Sequence, residues 1–326
     1  MALYDVPAPA KLNLFLHVTG RRPDGYHTLQ TVFRFIDLQD SLDFDLRLDG
    51  RIVREGDTIP GLDPDQDLVV RAAVALQRAT GTPLGAQIRY TKRIPSGAGL
   101  GGGSSDAASA LIALNRLWKT GLDRDALMKL GGTLGADVPV FIFGRPAFAE
   151  GVGDQLSDVE LPENAYLVLR PLGGVSTAQV FSDPDLTRDT KPVIISVFAR
   201  WQTDRAHTQS QAEYGLPLFG RNDLEPVVLA RHNNVRAIAD NLRKQGFHAR
   251  MTGSGNCFFV EYETIEQATE AQRKISSKML DSRNERQAGH SEVSAGTATE
   301  FHEGDGAVVE NTWACPGLFE HPLRYW

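Results

Sequence analysis

Residues 11–18 (KLNLFLHV) alternate polar and apolar side chains, the two-residue period of a half-buried strand. The next segment, GRRPDGYH, breaks that period with Gly20, Pro23 and Gly25 and reads as an exposed loop carrying Tyr26 and His27. Residues 31–38 and 41–48 predict two further strands, the second strictly alternating. The spacing changes over residues 67–80, where Leu68, Ala72, Ala75 and Leu76 fall on one helical face. Strand character returns over 85–94, a glycine-rich loop follows, and residues 104–119 (SSDAASALIALNRLWK) predict a strong helix. Its expected first turn holds Ser104, Ser105 and Asp106, residue types suited to an N-terminus. A second helix over 124–134 ends at Gly135, and residues 139–143 read as a short apolar strand. Strands come first and helices after, which predicts α+β rather than alternating βαβ units.

From about residue 160 a second unit begins, with the strand AYLVLRPL and the loop GGVSTAQVF, which carries Phe181. A polar stretch over 183–215 surrounds the short apolar run VIISVF. A helix over 228–244, the segment GFHARMTGSGN, a strand over 257–262 and a helix over 265–279 predict a small αβ layer packed on the first half. Residues 281–311 are nearly empty of large apolar side chains and predict a disordered insert, with order returning at Thr312. The expected division is therefore 1–158, 159–280, an insert over 281–311, and 312–326 rejoining the fold. A chain of 326 residues suits two domains better than one core.

Charge narrows the ligand chemistry. The net charge of −7, with no long run of Lys or Arg, argues against nucleic-acid binding through bulk charge. An anionic ligand must then be attracted by a local device. The two cysteines, Cys257 and Cys315, lie far apart and predict reduced, inert thiols. The first residues lack the basic start and apolar core of a signal peptide, and no apolar stretch approaches the ~18 residues of a membrane span. These features predict a cytoplasmic protein with no membrane partner.

The local device is the segment IPSGAGLGGGSSDAASAL. Gly97, Gly99, Gly101, Gly102 and Gly103 crowd into seven positions, so the backbone can reach a ligand closely and adopt positive φ. The helix starting directly afterwards points unpaired N–H groups and its positive dipole end at the same place. That geometry suits a di- or triphosphate, with the Ser104 and Ser105 hydroxyls free to reach phosphate oxygens or a bound Mg²⁺. Other phosphate loops fit poorly. Gly97, Gly99 and Gly102 satisfy G-x-G-x-x-G, but two helices follow where a dinucleotide fold needs a second parallel strand ending in an acidic residue. No Lys precedes the serines as a Walker loop requires, and the H-R-D and D-F-G elements of protein kinases are missing. The eight histidines show no metal-ligating spacing.

Together with PAPAKLNLFL near the start and MTGSGNCFFV near the end, the glycine segment resembles the three ordered motifs of the GHMP small-molecule kinase superfamily. The extended form GLGGGSS, with RPDGYHTLQTVF, GADVPVFIFG, FAEGVGD and NDLEPVV, is similar to the branch acting on a cytidine-diphosphate-linked methylerythritol in non-mevalonate isoprenoid synthesis. The resemblance implies a two-domain α+β fold with the active site between the domains, ATP as phosphate donor, and Mg²⁺ carried on the ATP phosphates. It implies Lys11 and Asp137 as the catalytic pair, with Asp137 taking the acceptor's hydroxyl proton. Asn13, on the strand face of Lys11, would orient that hydroxyl, while Tyr26, His27 and Phe181 would receive the cytidine. Asp67 and Lys92 match positions bordering the adenine, although relatives usually carry Asn where Asp67 stands. Pro95, Gly97, Gly99, Leu100, Gly101, Gly102, Gly103, Ser104 and Ser105 would line the phosphate cradle. The implied partner is a small molecule, with the protein a monomer or weak homodimer. The alternatives are a kinase for another small alcohol, such as mevalonate or homoserine, and a non-catalytic nucleotide-binding module.

Overall fold

The computed structural model describes residues 1–56, 66–205, 213–275 and 308–326. Two long antiparallel strands open the chain, β1 (Ala2–Arg21) and β2 (His27–Arg47). Where the sequence pattern predicts two strands, β2 runs as one. The polar residues Gln39, Asp40 and Ser41 stay paired with Pro9, Ala8 and Pro7 of β1. A register shift between Pro9 and Ala10 places a bulge directly before Lys11, the kind of irregularity that re-aims a side chain.

After β3 (Ile52–Arg54), helix α1 (Leu68–Thr80) is capped by the Asp67 carboxylate, which accepts from Val69 N–H at 2.9 Å. Strand β4 (Gly85–Thr91) leads through the glycine loop into α2 (Gly102–Leu117). This helix starts two residues earlier than expected, inside the glycines, because Gly101 takes the N-cap position in the left-handed region at φ 73°. Helix α2 is the buried axis of the first half: Ala107, Ala108, Leu111 and Leu114 are fully buried against α1, β1 and β2. Each leucine side chain removed from water there stabilises the fold by roughly 2 kcal/mol.

Helix α3 (Arg124–Gly132) is followed not by the expected apolar strand but by α4 (Val138–Phe143). An apolar run this short is ambiguous by period. Pro139 in the first turn and Gly144 as a left-handed C-cap, its N–H donating to Val140 O, resolve it as one helical turn and a half. Strands β5 (Ala147–Glu150) and β6 (Gln155–Asp158) complete this half.

The second half contains β7 (Ala165–Pro171), α5 (Thr177–Ser182), α6 (Ile195–Arg205), α7 (Glu225–Arg231), α8 (Asn233–Lys244), β8 (Ala249–Met251) and β9 (Phe258–Tyr262), with residues 265–275 helical. Helix α5 occupies the segment expected to be a loop, with Ser176 as its N-cap. The single helix expected over 228–244 is two, separated at the extended residue His232. The apolar run VIISVF feeds α6, which buries Phe198.

The last strand, β10 (Val309–Leu318), joins the halves. It pairs with β7 from Val309↔Pro171 to Pro316↔Ala165 and with β2 at Gly317↔Ile36 and Leu318↔Phe35. Strand β10 begins at Val309, inside the insert expected over 281–311, and residues 281–307 of that insert lie outside the described residues. Ten strands of the described residues form one sheet, with the path β3-β4-β2-β10-β7-β9-β8 and with β1 and β5 also on β2. A third apolar cluster between the halves contains Leu12, Phe15, Ile36, Leu100, Tyr166, Phe259 and Cys315. Cys257 and Cys315 are free and buried, and burial pushes both thiols up to about 12.

Candidate active site

A cleft of about 1000 Å³ runs between the halves. Of the expected site residues, Lys11, Asn13, Tyr26, His27, Asp67, Lys92, Pro95, Gly97, Gly99, Leu100, Gly101, Gly102, Gly103, Ser104, Asp137 and Phe181 all line it. Ser105 does not. It is fully buried on the far side of α2, and its hydroxyl has no hydrogen-bond partner.

The three separated motifs meet around Lys11. Its N–H donates to Leu100 O (2.9 Å), tying β1 to the glycine loop. Its ammonium is buried and contacts Asn13 Oδ1 (2.6 Å), Gly99 O (3.1 Å) and Asp137 Oδ2 (3.3 Å). An ammonium has three protons, so these three acceptors fix its direction. Asp137 sits at the N-cap position of α4, yet its side chain makes no capping bond. The carboxylate is instead turned to Lys11 and remains about a third exposed to the cleft. Asn13 is held on both sides: its N–H donates to Thr252 Oγ1 (2.9 Å) and its amide to Thr31 Oγ1 (2.9 Å).

The third motif closes over the loop at backbone distance. Gly99 has φ +77°, and a Cβ built there would lie 2.2 Å from Thr252 O and 2.9 Å from Gly255 N. A Cβ at Gly255 would lie 2.2 Å from Ala98 C and Gly99 N. Asn222, in the segment NDLEP, fastens this turn by donating to Met251 O and Gly253 O, each at 2.8 Å. Gly99→Ala is therefore expected to abolish ATP binding and lower stability by at least ~1 kcal/mol, the cost of the left-handed conformation alone. A nucleotide titration beside a thermal melt reads both, and unchanged ATP affinity would mean that the loop does not hold the nucleotide.

The end of the cleft expected to take phosphate is lined by amides. The first helical bond of α2 is donated by Ser105 N–H to Gly101 O (2.9 Å), leaving the N–H groups of Gly102, Gly103 and Ser104 without intrahelical acceptors. Among the described lining residues the Lys and Arg side chains are Lys11, Arg21 and Lys92. Lys92 is already occupied: its ammonium bridges Asp40 and Asp106 (2.5 Å to Asp106) behind the loop. Burial works against that charge, but Asp106 and Asp40 outweigh it and keep Lys92 protonated. Burial pushes Asp106 up to about 7 against the pull of Lys92, and its Oδ1 is buried without a hydrogen-bond partner.

Asp67 is also engaged. Its Oδ2 accepts from Tyr90 OH (2.7 Å) and pairs with Arg54 Nε (3.1 Å), whose guanidinium stacks on the Tyr90 ring at 4.6 Å. The carboxylate is thus paired from within the fold. At the opposite end of the cleft His27 faces Phe181, ring centroids 5.3 Å apart, while Tyr26 is exposed at the rim. Among the described residues no cluster of three or more His, Cys, Asp or Glu side chains could hold a metal ion, and no helix is long and apolar enough to cross a membrane.

Sequence reasoning did not single out Asn222 and Thr252 as site residues, although both lie in quoted motifs, NDLEP and MTGSGN. Asp40 and Arg188 carry no local signal, and the sequence marks Asp106 only as a residue suited to a helix start.

Comparison with known proteins agrees with this geometry. Residues 67–145 match the GHMP kinases N terminal domain and residues 207–281 the GHMP kinases C terminal family. A 4-diphosphocytidyl-2-C-methyl-D-erythritol kinase of Bordetella parapertussis is 54% identical over 326 residues, covering 100% of this chain and 99% of that one. An enzyme of the same name from Cupriavidus taiwanensis is 51% identical over 84% of this chain and 89% of its own. A crystal structure of 4-(cytidine 5'-diphospho)-2C-methyl-D-erythritol kinase superposes with a TM-score of 0.70 at 30% identity, covering 97% of this chain and 99% of that one. A mevalonate kinase structure at 16% identity and TM-score 0.58 shares the fold alone. Motifs, α+β fold and relatives converge, and the chain belongs to the GHMP kinases, in the branch of the 4-diphosphocytidyl-2-C-methyl-D-erythritol kinases.

Proposed function

We propose that this chain transfers the γ-phosphoryl group of ATP to the 2-hydroxyl of 4-diphosphocytidyl-2-C-methyl-D-erythritol, a step of non-mevalonate isoprenoid synthesis, with Asp137 and Lys11 as the reacting pair. The observation that carries the assignment of roles is the 3.3 Å contact between the Asp137 carboxylate and the Lys11 ammonium in the cleft, beside the unpaired amides of α2. Asp137 accepts the hydroxyl proton as the oxygen attacks the γ-phosphorus, the bridging P–O bond to the β-phosphate breaks, and ADP leaves. Lys11, aimed by Asn13 Oδ1 and Gly99 O, stabilises negative charge gathering on the transferred group. The acceptor hydroxyl is tertiary and crowded, so positioning within the cleft matters more than raw nucleophilicity.

The phosphate tail rests on the amides of Gly102, Gly103 and Ser104. Magnesium would ride on the phosphates, where the Ser104 hydroxyl and the partly exposed Asp137 carboxylate line the cleft and the buried Asp106 Oδ1 has no hydrogen-bond partner. When bound, it neutralises phosphate charge that the few cleft cations cannot. The cytidine lies toward Tyr26, His27 and Phe181, and the adenine toward Asp67 and Tyr90. Incubation with ATP, Mg²⁺ and the cytidine diphosphate acceptor, read by phosphorus NMR, should yield a new phosphomonoester together with ADP. Turnover of mevalonate or homoserine instead would reassign the acceptor, and no turnover of any alcohol would leave a nucleotide-binding module.

A further inference from the structure

Arg188 lies in the polar stretch after α5, where no motif draws attention to it. Its guanidinium joins two elements of the cleft. Nη1 donates to Leu186 O (3.0 Å), while Nη2 donates to Phe181 O (3.1 Å) and Asp183 O (2.7 Å). These bonds satisfy carbonyls in and beyond the last turn of α5, the helix that carries Phe181. The fourth bond leaves the helix: Arg188 Nε donates to His27 Nε2 at 2.9 Å.

A guanidinium has donors only, so the ring nitrogen that meets it must be the one bearing the lone pair. His27 is therefore neutral, with its proton on Nδ1. Among the described residues Nδ1 has no hydrogen-bond partner, and His27 lines the cleft. Around the imidazole stand the charges of Arg188 and Arg21 and the ring of Phe181, with no carboxylate acting on it among the described residues. Burial first, then Arg188 and Arg21, holds the imidazole below its ordinary value, which keeps it neutral near pH 7.

We propose that Arg188 is a positioning residue for the acceptor's base: it locks His27 as a neutral Nδ1–H donor and fixes Phe181 opposite, so that this end of the cleft selects cytosine over uracil. The inference rests on the reading that the acceptor's cytidine occupies this end. Cytosine offers a lone pair at its N3, which an N–H can meet, whereas uracil carries a proton there. Two donors facing each other leave both unpaired in a half-buried site. Without the guanidinium, His27 is free to exchange tautomers, and the Nε2–H form no longer presents a fixed donor.

The tautomer can be read directly from nitrogen–proton NMR of the histidine rings in the ligand-free protein. Wild type should show the lone pair on Nε2 and the proton on Nδ1 of His27. Arg188→Ala should give mixed tautomers and a titration midpoint moved upward, since a nearby positive charge has gone. In kinetics, the loss should fall on KM for the cytidine acceptor, raised about tenfold for one hydrogen bond lost to an ordered base. KM for ATP should not follow it, and the preference over a uridine analogue of the acceptor should shrink. Arg188→Lys, which keeps one donor for the imidazole but not the carbonyl fork, should restore part of the preference; it also serves if Arg188→Ala fails to fold. A wild-type His27 protonated on Nε2 would overturn the proposal, as would an Arg188→Ala protein with unchanged tautomer and unchanged base preference, or an Arg188→Lys protein with mixed tautomers whose base preference is nevertheless unchanged. His27→Ala separates the inference from the reading beneath it. An unchanged acceptor KM in that variant would move the base elsewhere and overturn the selectivity, whatever tautomer the spectra show.

Discussion

Asp137→Asn should lower kcat by about three orders of magnitude while leaving ATP affinity close to that of the wild type. A positioned base contributes roughly 10²–10⁴-fold to proton transfer, and an asparagine of the same shape cannot take the proton. The substitution is otherwise gentle. Asp137 makes no capping bond to α4, so the helix keeps its ends, and the new amide oxygen can still accept from Lys11 at the 3.3 Å position. ATP is expected to rest on the α2 amides, which Asp137 does not touch. Steady-state turnover, paired with nucleotide binding measured separately, is the decisive pair of readings. A mutant with near wild-type kcat would take the base role from Asp137.

Lys11→Ala should be nearly inactive for a different reason. The ammonium is aimed by three acceptors at the meeting point of loop, strand and third motif, and Lys92 is committed to Asp40 and Asp106. Loss of one preorganised donor at developing charge costs about 10²–10³ in kcat. The truncation also leaves Asn13 Oδ1 and Gly99 O without this donor, so some stability is lost, but it removes no apolar side chain from the cores around α2 and β10. Circular dichroism should report a folded protein, and the kinetics an almost dead one. Because the two side chains act on one event, the double mutant should be little worse than either single variant. Full additivity would argue that they act independently.

The legible part of the fold is the part with strong local periodicity. The alternation of residues 11–18 and the apolar face of α1 and α2 are written along the chain, and each element formed where its pattern lies. Run lengths failed where a period is too short to count. The segment 139–143 is apolar throughout, and only Pro139 and Gly144 reveal a helix. The segment at 177–182 is a helix because Ser176 caps it, a signal outweighed by the glycines just before. Lys11, Asp137 and the glycine loop were legible through motifs. Their mutual distance was not, since it depends on a bulge at Pro9/Ala10 and on the approach of Gly99 to Gly255. Asp67 matches a position bordering the adenine, which leaves its actual contacts open. Its pairing with Arg54 and Tyr90 comes from β3 and β4, and nothing near Asp67 in sequence announces it. Arg188 is the plainest case: an arginine in a polar stretch, whose guanidinium holds the carbonyls at the end of α5 and reaches a histidine 161 positions away.

The strand β10 reaches β2 and β7 from near the end of this sequence, pairing Gly317 with Ile36 and Pro316 with Ala165. During synthesis both neighbouring strands emerge from the ribosome long before the strand that must lie between them. Each waits with an unsatisfied edge, open to mispairing or to capture by chaperones. Pairings so distant along the chain also form slowly, because so much loop entropy must be lost first. A nascent polypeptide that already contains Lys11, the glycine loop and Asp137 therefore still lacks the seam that joins its two halves, and competence must wait for β10.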